Sequence, residues 1–172
     1  MPQRRYTLVR PACCLLIFFL PIFACGLFAP NMSAQTLQVV DGDGHSTNVT
    51  AAQVENLPHV TVDTSDHDKP AQFRGVALSA LLSMAGIQLG DSMRGPRMTE
   101  ALLVEAADGY KVVFALAELD PAFASREIIL ADKRDGKPLD AKEGPFRIVV
   151  PGDKRPARWI RQVTTLKVIA VK

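Results

Sequence analysis

The sequence predicts a β-rich α+β domain in which short helices decorate a barrel-like or sandwiched mixed sheet. Three observations carry that expectation. Beyond residue 34 the chain breaks into short apolar runs separated by Gly, Pro, Asn and Asp signals. Only Leu78 to Ala85 shows sustained helical spacing. A chain of 172 residues with 48% hydrophobic and 22% charged residues also has the profile of one globular domain.

In order along the chain, Thr36–Val40 and His45–Val49 flank the turn Asp41-Gly42-Asp43-Gly44 and read as a hairpin. Thr50-Ala51-Ala52-Gln53 has the form of a capping box, which predicts a short helix through Asn56, stopped by Pro58. His59–Val62 and Ala71–Phe73 read as extended on either side of a polar stretch, Asp63 to Lys69. Leu78, Leu81, Leu82 and Ala85 lie on one helix face, and Gly86 holds the stop position. Leu102–Ala106 and Tyr110–Phe114 flank Asp108-Gly109, the signal of a tight hairpin. Leu116–Leu119 reads as a helical turn, and Glu127–Leu130, Phe146–Val150 and Val163–Val171 complete the strands.

The first 34 residues read differently. Arg4, Arg5 and Arg10 precede an apolar run from Ala12 to Ala29, and Met32-Ser33-Ala34 supplies a small-residue exit. That is the order of a secretory signal peptide cleaved after Ala34, leaving 35–172 as a single periplasmic or secreted domain with no membrane span. A lipoprotein site at Cys25 is the alternative, since Ile22-Phe23-Ala24-Cys25 loosely matches a lipobox, and an uncleaved anchor interrupted by Pro21 is a third. Arg4-Arg5-Tyr6-Thr7-Leu8 matches a twin-arginine signal only in part, and the apolar run better fits export of an unfolded chain.

Division at Ala34 changes the chemistry open to the domain. Cys13, Cys14 and Cys25 all fall in the leader, so residues 35–172 offer no disulfide, thiolate ligand or cysteine nucleophile. Their net charge is −1, unevenly spread: 35–132 carry 6 basic and 14 acidic groups, and 133–172 carry 11 and 4. Near neutrality argues against a nucleic-acid partner. His45, His59 and His67 stand at spacings that put no pair on adjacent helical turns and read as surface or turn residues. Asp41-Gly42-Asp43-Gly44-His45 lacks the glycine and glutamate positions of an EF-hand, and Asp63-Thr64-Ser65-Asp66-His67-Asp68 reads as a solvated turn rather than a cation site. No metal ligands are assigned. No G-x-S-x-G, G-x-G-x-x-G or P-loop occurs, and no catalytic residue can be named.

The richest stretch runs from Gly144 to Arg161. An apolar strand enters a Pro151-Gly152 turn that displays Lys154, Arg155 and Arg158 beside Trp159. Guanidinium forks suit phosphate or carboxylate, and an indole suits a flat ring, so the loop reads as a pocket for an anion attached to a heterocycle. The competing reading is an exposed cationic loop with Trp159 as a core plug. Tyr110 stands beside a turn that reads first as a hairpin and second as a ligand contact.

Phe73-Arg74-Gly75-Val76 with Leu78 and Leu81-Leu82, Asp108-Gly109-Tyr110, Leu130-Ala131, Asp135-Gly136-Lys137-Pro138-Leu139, Gly144 to Gly152 and Arg158-Trp159 follow one another in an order that resembles the sulfite-oxidase-type molybdopterin-binding family, in its short secreted form. The resemblance implies that family's mixed-sheet fold, an oxidoreductase-like domain and a molybdopterin ligand. Larger members hold molybdenum on a pyranopterin with a cysteine thiolate, near a basic residue followed by Trp. Carried over, that position is Arg158-Trp159, with Arg155 and Lys154 as neighbours and Tyr110 framing a ring. The absence of cysteine after Gln35 argues against the thiolate-bound metal, since ligand type sets geometry and potential. The expected partners are an anionic or pterin-like small molecule; the alternative is a non-catalytic binding or protein-interaction module of the cell envelope.

Overall fold

The computed structural model describes residues 36–171 and Met1. The expected leader, with its cleavage site and all three cysteines, lies outside the described residues. Among the described residues no helix is long and apolar enough to cross a membrane.

Strands β1 (Thr36–Val40) and β2 (Ser46–Thr50) form the expected hairpin, with Leu37 and Val39 turned inward and their neighbours outward. Helix α1 (Ala51–Glu55) starts at a complete capping box: the Thr50 hydroxyl accepts the Gln53 amide, and the Gln53 side chain accepts the Thr50 amide. Strands β3 (His59–Asp66) and β4 (Lys69–Ala77) follow. The polar stretch expected to be a loop is mostly strand: β3 runs on through Asp66, and the reversal takes only His67 and Asp68, both in the left-handed region. Asp and His tolerate that region in a two-residue hairpin turn, and so a polar run hid a tight hairpin.

Helix α2 (Leu78–Met84) buries Leu78, Leu81 and Leu82 and ends where the glycine lies. Gly86, at φ 87°, donates to the Ser83 carbonyl, and Ile87 donates to Leu82, a Schellman closure that turns Ile87 into the core. Strands β5 (Glu100–Ala106) and β6 (Lys111–Ala115) pair across the Asp108-Gly109 turn. Then come a helical turn at Leu116–Leu119 and strands β7 (Ile129–Arg134), β8 (Lys137–Pro138), β9 (Arg147–Val149) and β10 (Val163–Ala170). β7 begins later than Glu127 and reaches Arg134, because Asp135-Gly136 makes a second tight turn that adds β8.

The strands form two five-stranded sheets, β2-β1-β10-β5-β6 and β3-β4-β7-β8 with β9 beside β7. The first sheet is mixed, since β1 runs parallel to β10; every other pairing is antiparallel. The fold is therefore the β-rich α+β arrangement expected, realised as two sheets around a common core rather than as a closed barrel among the described residues. Leu37, Leu102, Phe114 and Leu166 from one sheet and Phe73, Val76, Leu130 and Ile148 from the other belong to one buried cluster, which α2 extends.

Where β4 meets β7 the register slips: Gly75 pairs with Ala131 and Arg74 with Lys133, so Asp132 is the extra residue of a bulge. A Cβ on Gly75 would overlap the Leu130 carbonyl oxygen and the Ala131 Cα. Glycine is what permits the two backbones to approach there.

Candidate functional site

A cleft of about 810 Å³ opens where the β3–β4 turn, the β5–β6 turn, the start of β9 and the segment before β10 come together. Its floor is Trp159, 3% exposed, and Arg147, 2% exposed. The indole packs edge-on against Phe73 with centroids 6.0 Å apart. The Arg147 guanidinium lies 5.6 Å from the Trp159 centroid and 5.2 Å from that of Phe73, within cation–π range of both.

A buried cation needs counter-charge. Arg147 Nη1 donates to Asp66 Oδ2 at 3.0 Å and to Glu143 Oε1 at 2.9 Å, and Arg134 Nη1 donates to the same two oxygens at 3.1 and 3.2 Å. Burial pushes the Asp66 carboxyl up, but the Arg147 hydrogen bond and the charges of Arg147 and Arg134 outweigh it and hold the group below the usual carboxylate range. Asp66 was expected in a solvated turn. It is 4% exposed, because it faces inward on the last rung of β3. Arg147 Nε and Trp159 Nε1 are buried donors with no partner among the described residues.

The rim is cationic. Lys142, Arg155 and Arg161 line the cleft, all three are exposed, and none forms an ion pair among the described residues. His67, Asp108 and Tyr110 complete that rim, and the Tyr110 hydroxyl donates to the Ala157 carbonyl at 3.0 Å, tying the β5–β6 turn to the loop before Trp159. Gly109, at φ 84°, lets that turn close. Upstream of Arg155, Asp153 donates its amide to Val150, closing the turn whose Gly152 has φ 86°.

Of the five residues expected at the site, Tyr110, Arg155 and Trp159 line the cleft, whereas Arg158 and Lys154 do not. Lys154 is exposed. Arg158 is fastened elsewhere: Nε and Nη2 donate to the two Asp153 oxygens at 3.1 and 3.0 Å, Nη1 reaches Glu118 Oε2 at 3.3 Å, and the guanidinium lies over Phe114. The Asp153 hydrogen bond raises its pKa further. Its contacts bind the loop to the helical turn at Leu116–Leu119. Residues missed from the sequence are Arg147, Arg161, Lys142 and His67. For Arg147 the signal was present, as a lone charge inside the apolar run Phe146–Val150.

A crystal structure of the sulfane dehydrogenase SoxCD from Paracoccus pantotrophus superposes with a TM-score of 0.60 at 19% identity, covering 78% of this chain and 38% of that chain. The chain thus spans well under half the length of that structure, and the likeness is one of fold. No curated protein sequence matches. The family model for the oxidoreductase molybdopterin binding domain matches residues 65–171, from the end of β3 through β10 and so across every wall of the cleft. The chain belongs to the oxidoreductase molybdopterin-binding domain family.

Proposed function

We propose that residues 35–172 act outside the cytoplasm, after removal of the leader, as a domain that binds molybdopterin or a related pterin-like anion in the Trp159 cleft without standard thiolate-bound molybdenum chemistry. The observation that carries the reading is the contrast among cations. Arg158 is saturated by Asp153 and Glu118, whereas Lys142, Arg155 and Arg161, all on the cleft, have no carboxylate among the described residues. Guanidinium and ammonium groups left open around a concave site favour a phosphate-bearing ligand.

The donor set fits the organic part of the cofactor. Arg155, Arg161 and Lys142 would hold its phosphate, Trp159 and Tyr110 would frame its ring, and the orphaned Trp159 Nε1 offers a buried donor to a ring acceptor. Arg147 is held in the floor by Asp66 and Glu143, which fix its orientation and offset its charge, and its Nε is a further buried donor with no partner among the described residues. The set does not fit the metal's usual thiolate, since residues 36–171 contain no cysteine. When loaded with molybdenum, such a cofactor supplies redox chemistry at the metal. Here the chain's own residues bind the phosphate and shield one ring face from water, with Lys154 adding long-range attraction from outside the cleft. The lack of cysteine among residues 36–171 also suits a second reading, a non-catalytic envelope module that keeps the scaffold for binding a small anion or a protein.

Trp159 is the only tryptophan, so its fluorescence reports on the cleft directly. Titration with a pterin monophosphate should quench it saturably. Arg155→Ala and Arg161→Ala should each weaken binding about tenfold or more, as expected when a charge-assisted hydrogen bond is lost. Unquenched fluorescence, or unchanged affinity in both variants, overturns the site. Metal analysis of protein from its native envelope tests the other half, and stoichiometric molybdenum would refute it.

A further inference from the structure

At the opposite end of β3 from the cleft, three side chains with metal-ligand atoms converge: Glu55 at the end of α1, His59 at the start of β3 and Asp132 on the β7 bulge. We infer that Glu55, His59 and Asp132 form a binding site for a divalent transition-metal ion of the zinc class.

The argument begins with the histidine tautomer. His59 Nδ1 lies 2.8 Å from the Leu57 carbonyl oxygen, which can only accept, so Nδ1 carries the hydrogen. In the neutral ring Nε2 then presents a lone pair. That atom is buried without a hydrogen-bond partner among the described residues, and it faces carboxylate oxygens, Glu55 Oε2 at 3.7 Å and Asp132 Oδ2 at 3.6 Å. Acceptor thus faces acceptor around a common point. Asp132 Oδ1 is a second buried atom with no partner. A cation at that point gives the orphaned Nε2 lone pair a partner and bridges it to carboxylate oxygens that Arg74 already orients.

The spacing agrees with four-coordinate geometry. Metal–ligand distances of about 2.0–2.2 Å place neighbouring tetrahedral ligands about 3.3–3.6 Å apart, close to what is present. The outer contacts follow the same logic. A main-chain carbonyl on Nδ1 is the usual way a ligating imidazole is oriented, and ligating carboxylates are usually themselves hydrogen-bonded. Arg74 does the latter for both acids, with Nη1 at 3.1 Å from Asp132 Oδ2 and Nη2 at 3.0 Å from Glu55 Oε1. Lys133 lies 3.9 Å from Glu55 on the outer side. The bulge that aims Asp132 requires Gly75 opposite it. Three protein ligands leave a fourth position toward solvent, on the side of half-exposed Glu55.

The second carboxylate–histidine group, Asp41, Asp43 and His45, is a contrast. It sits on one exposed turn, and Asp41 Oδ1 already accepts two backbone amides.

The test is titration of chelator-treated protein with Co²⁺, followed by visible absorption and by competition with Zn²⁺. One ion per chain should bind, with bands of four-coordinate intensity that Zn²⁺ abolishes. His59→Gln and Asp132→Asn should lose saturable binding, and Asp41→Asn should keep it. Absence of saturable binding, its persistence in both variants, or its loss in Asp41→Asn overturns the assignment. Should both inner variants fail to fold, Glu55→Gln decides: about tenfold or greater weakening supports the site, and unchanged affinity rejects it. Zn²⁺ should also raise the unfolding temperature of the native chain but not of a folded variant.

Discussion

Arg147 and Arg158 flank the same turn and serve different ends, which only their partners reveal. Arg147 is packed between two aromatic rings and shares two carboxylates with Arg134. Removing Asp66 would leave Glu143 as the one carboxylate shared by the two guanidinium groups, and Asp66→Ala should cost about 1–3 kcal/mol, read from the shift in urea midpoint at constant slope. The pH dependence has a defined sign. Because the folded-state pKa of Asp66 lies below its ordinary value, its contribution is present above that ordinary value and is lost as pH falls through the lowered one. Asp66→Asn should therefore flatten the acid limb of the stability profile. Arg158 is a third exposed, and its pairs with Asp153 and Glu118 are partly screened. Arg158→Ala should lower stability by about 1 kcal/mol or less and leave pterin phosphate affinity unchanged in the fluorescence titration. A loss of affinity without a loss of stability would place Arg158 at the ligand after all. At this scale Trp159 and Arg155 were legible in the sequence, because an indole beside clustered basic residues is a local pattern. Arg147 and Asp66 were not, because their roles come from a contact spanning the sheet.

Two glycines divide the elements by mechanism. Gly86 stands in open space and is needed only for its positive φ, so Gly86→Ala should cost about 1–2 kcal/mol through backbone strain alone. Gly75 has no positive φ, yet an added methyl would meet the β7 main chain, which cannot turn aside as a side chain would. Gly75→Ala should destabilise by about 1–3 kcal/mol and should also disturb the Asp132 bulge, visible as amide shifts in β7 that Gly86→Ala does not produce. Elements built on local rules were readable: the capping box of α1, the glycine stop of α2 and the Asp108-Gly109 hairpin all fall where the sequence puts them. Elements decided by pairing were not. β3 and β4 extend through residues of low strand propensity because each rung is bonded to the other, and the two-residue β8 exists only against β7.

For the whole molecule, the family match begins at residue 65, but the folded unit reaches back to Thr36. β1 covers the outer edge of β10 in parallel pairing, and β3 covers β4. A chain starting at residue 65 should therefore lack a cooperative thermal transition, whereas 36–171 should unfold in one. A single sharp transition in the shorter chain would show that the first three strands are dispensable. The parallel pairing was beyond sequence reading, since β1 and β10 stand at opposite ends of the domain and no local signal joins them. The cleft inherits a mechanical role from the same topology. Its walls come from both sheets, with Ala106 on β5 and Arg147 on β9, and two direct bonds, Tyr110 to Ala157 and Ala107 to Gln162, cross from the β5–β6 turn to the loop after β9. Whatever fills it acts as mortar between two slabs, so occupancy should register as resistance to proteolysis as well as in any chemistry performed there.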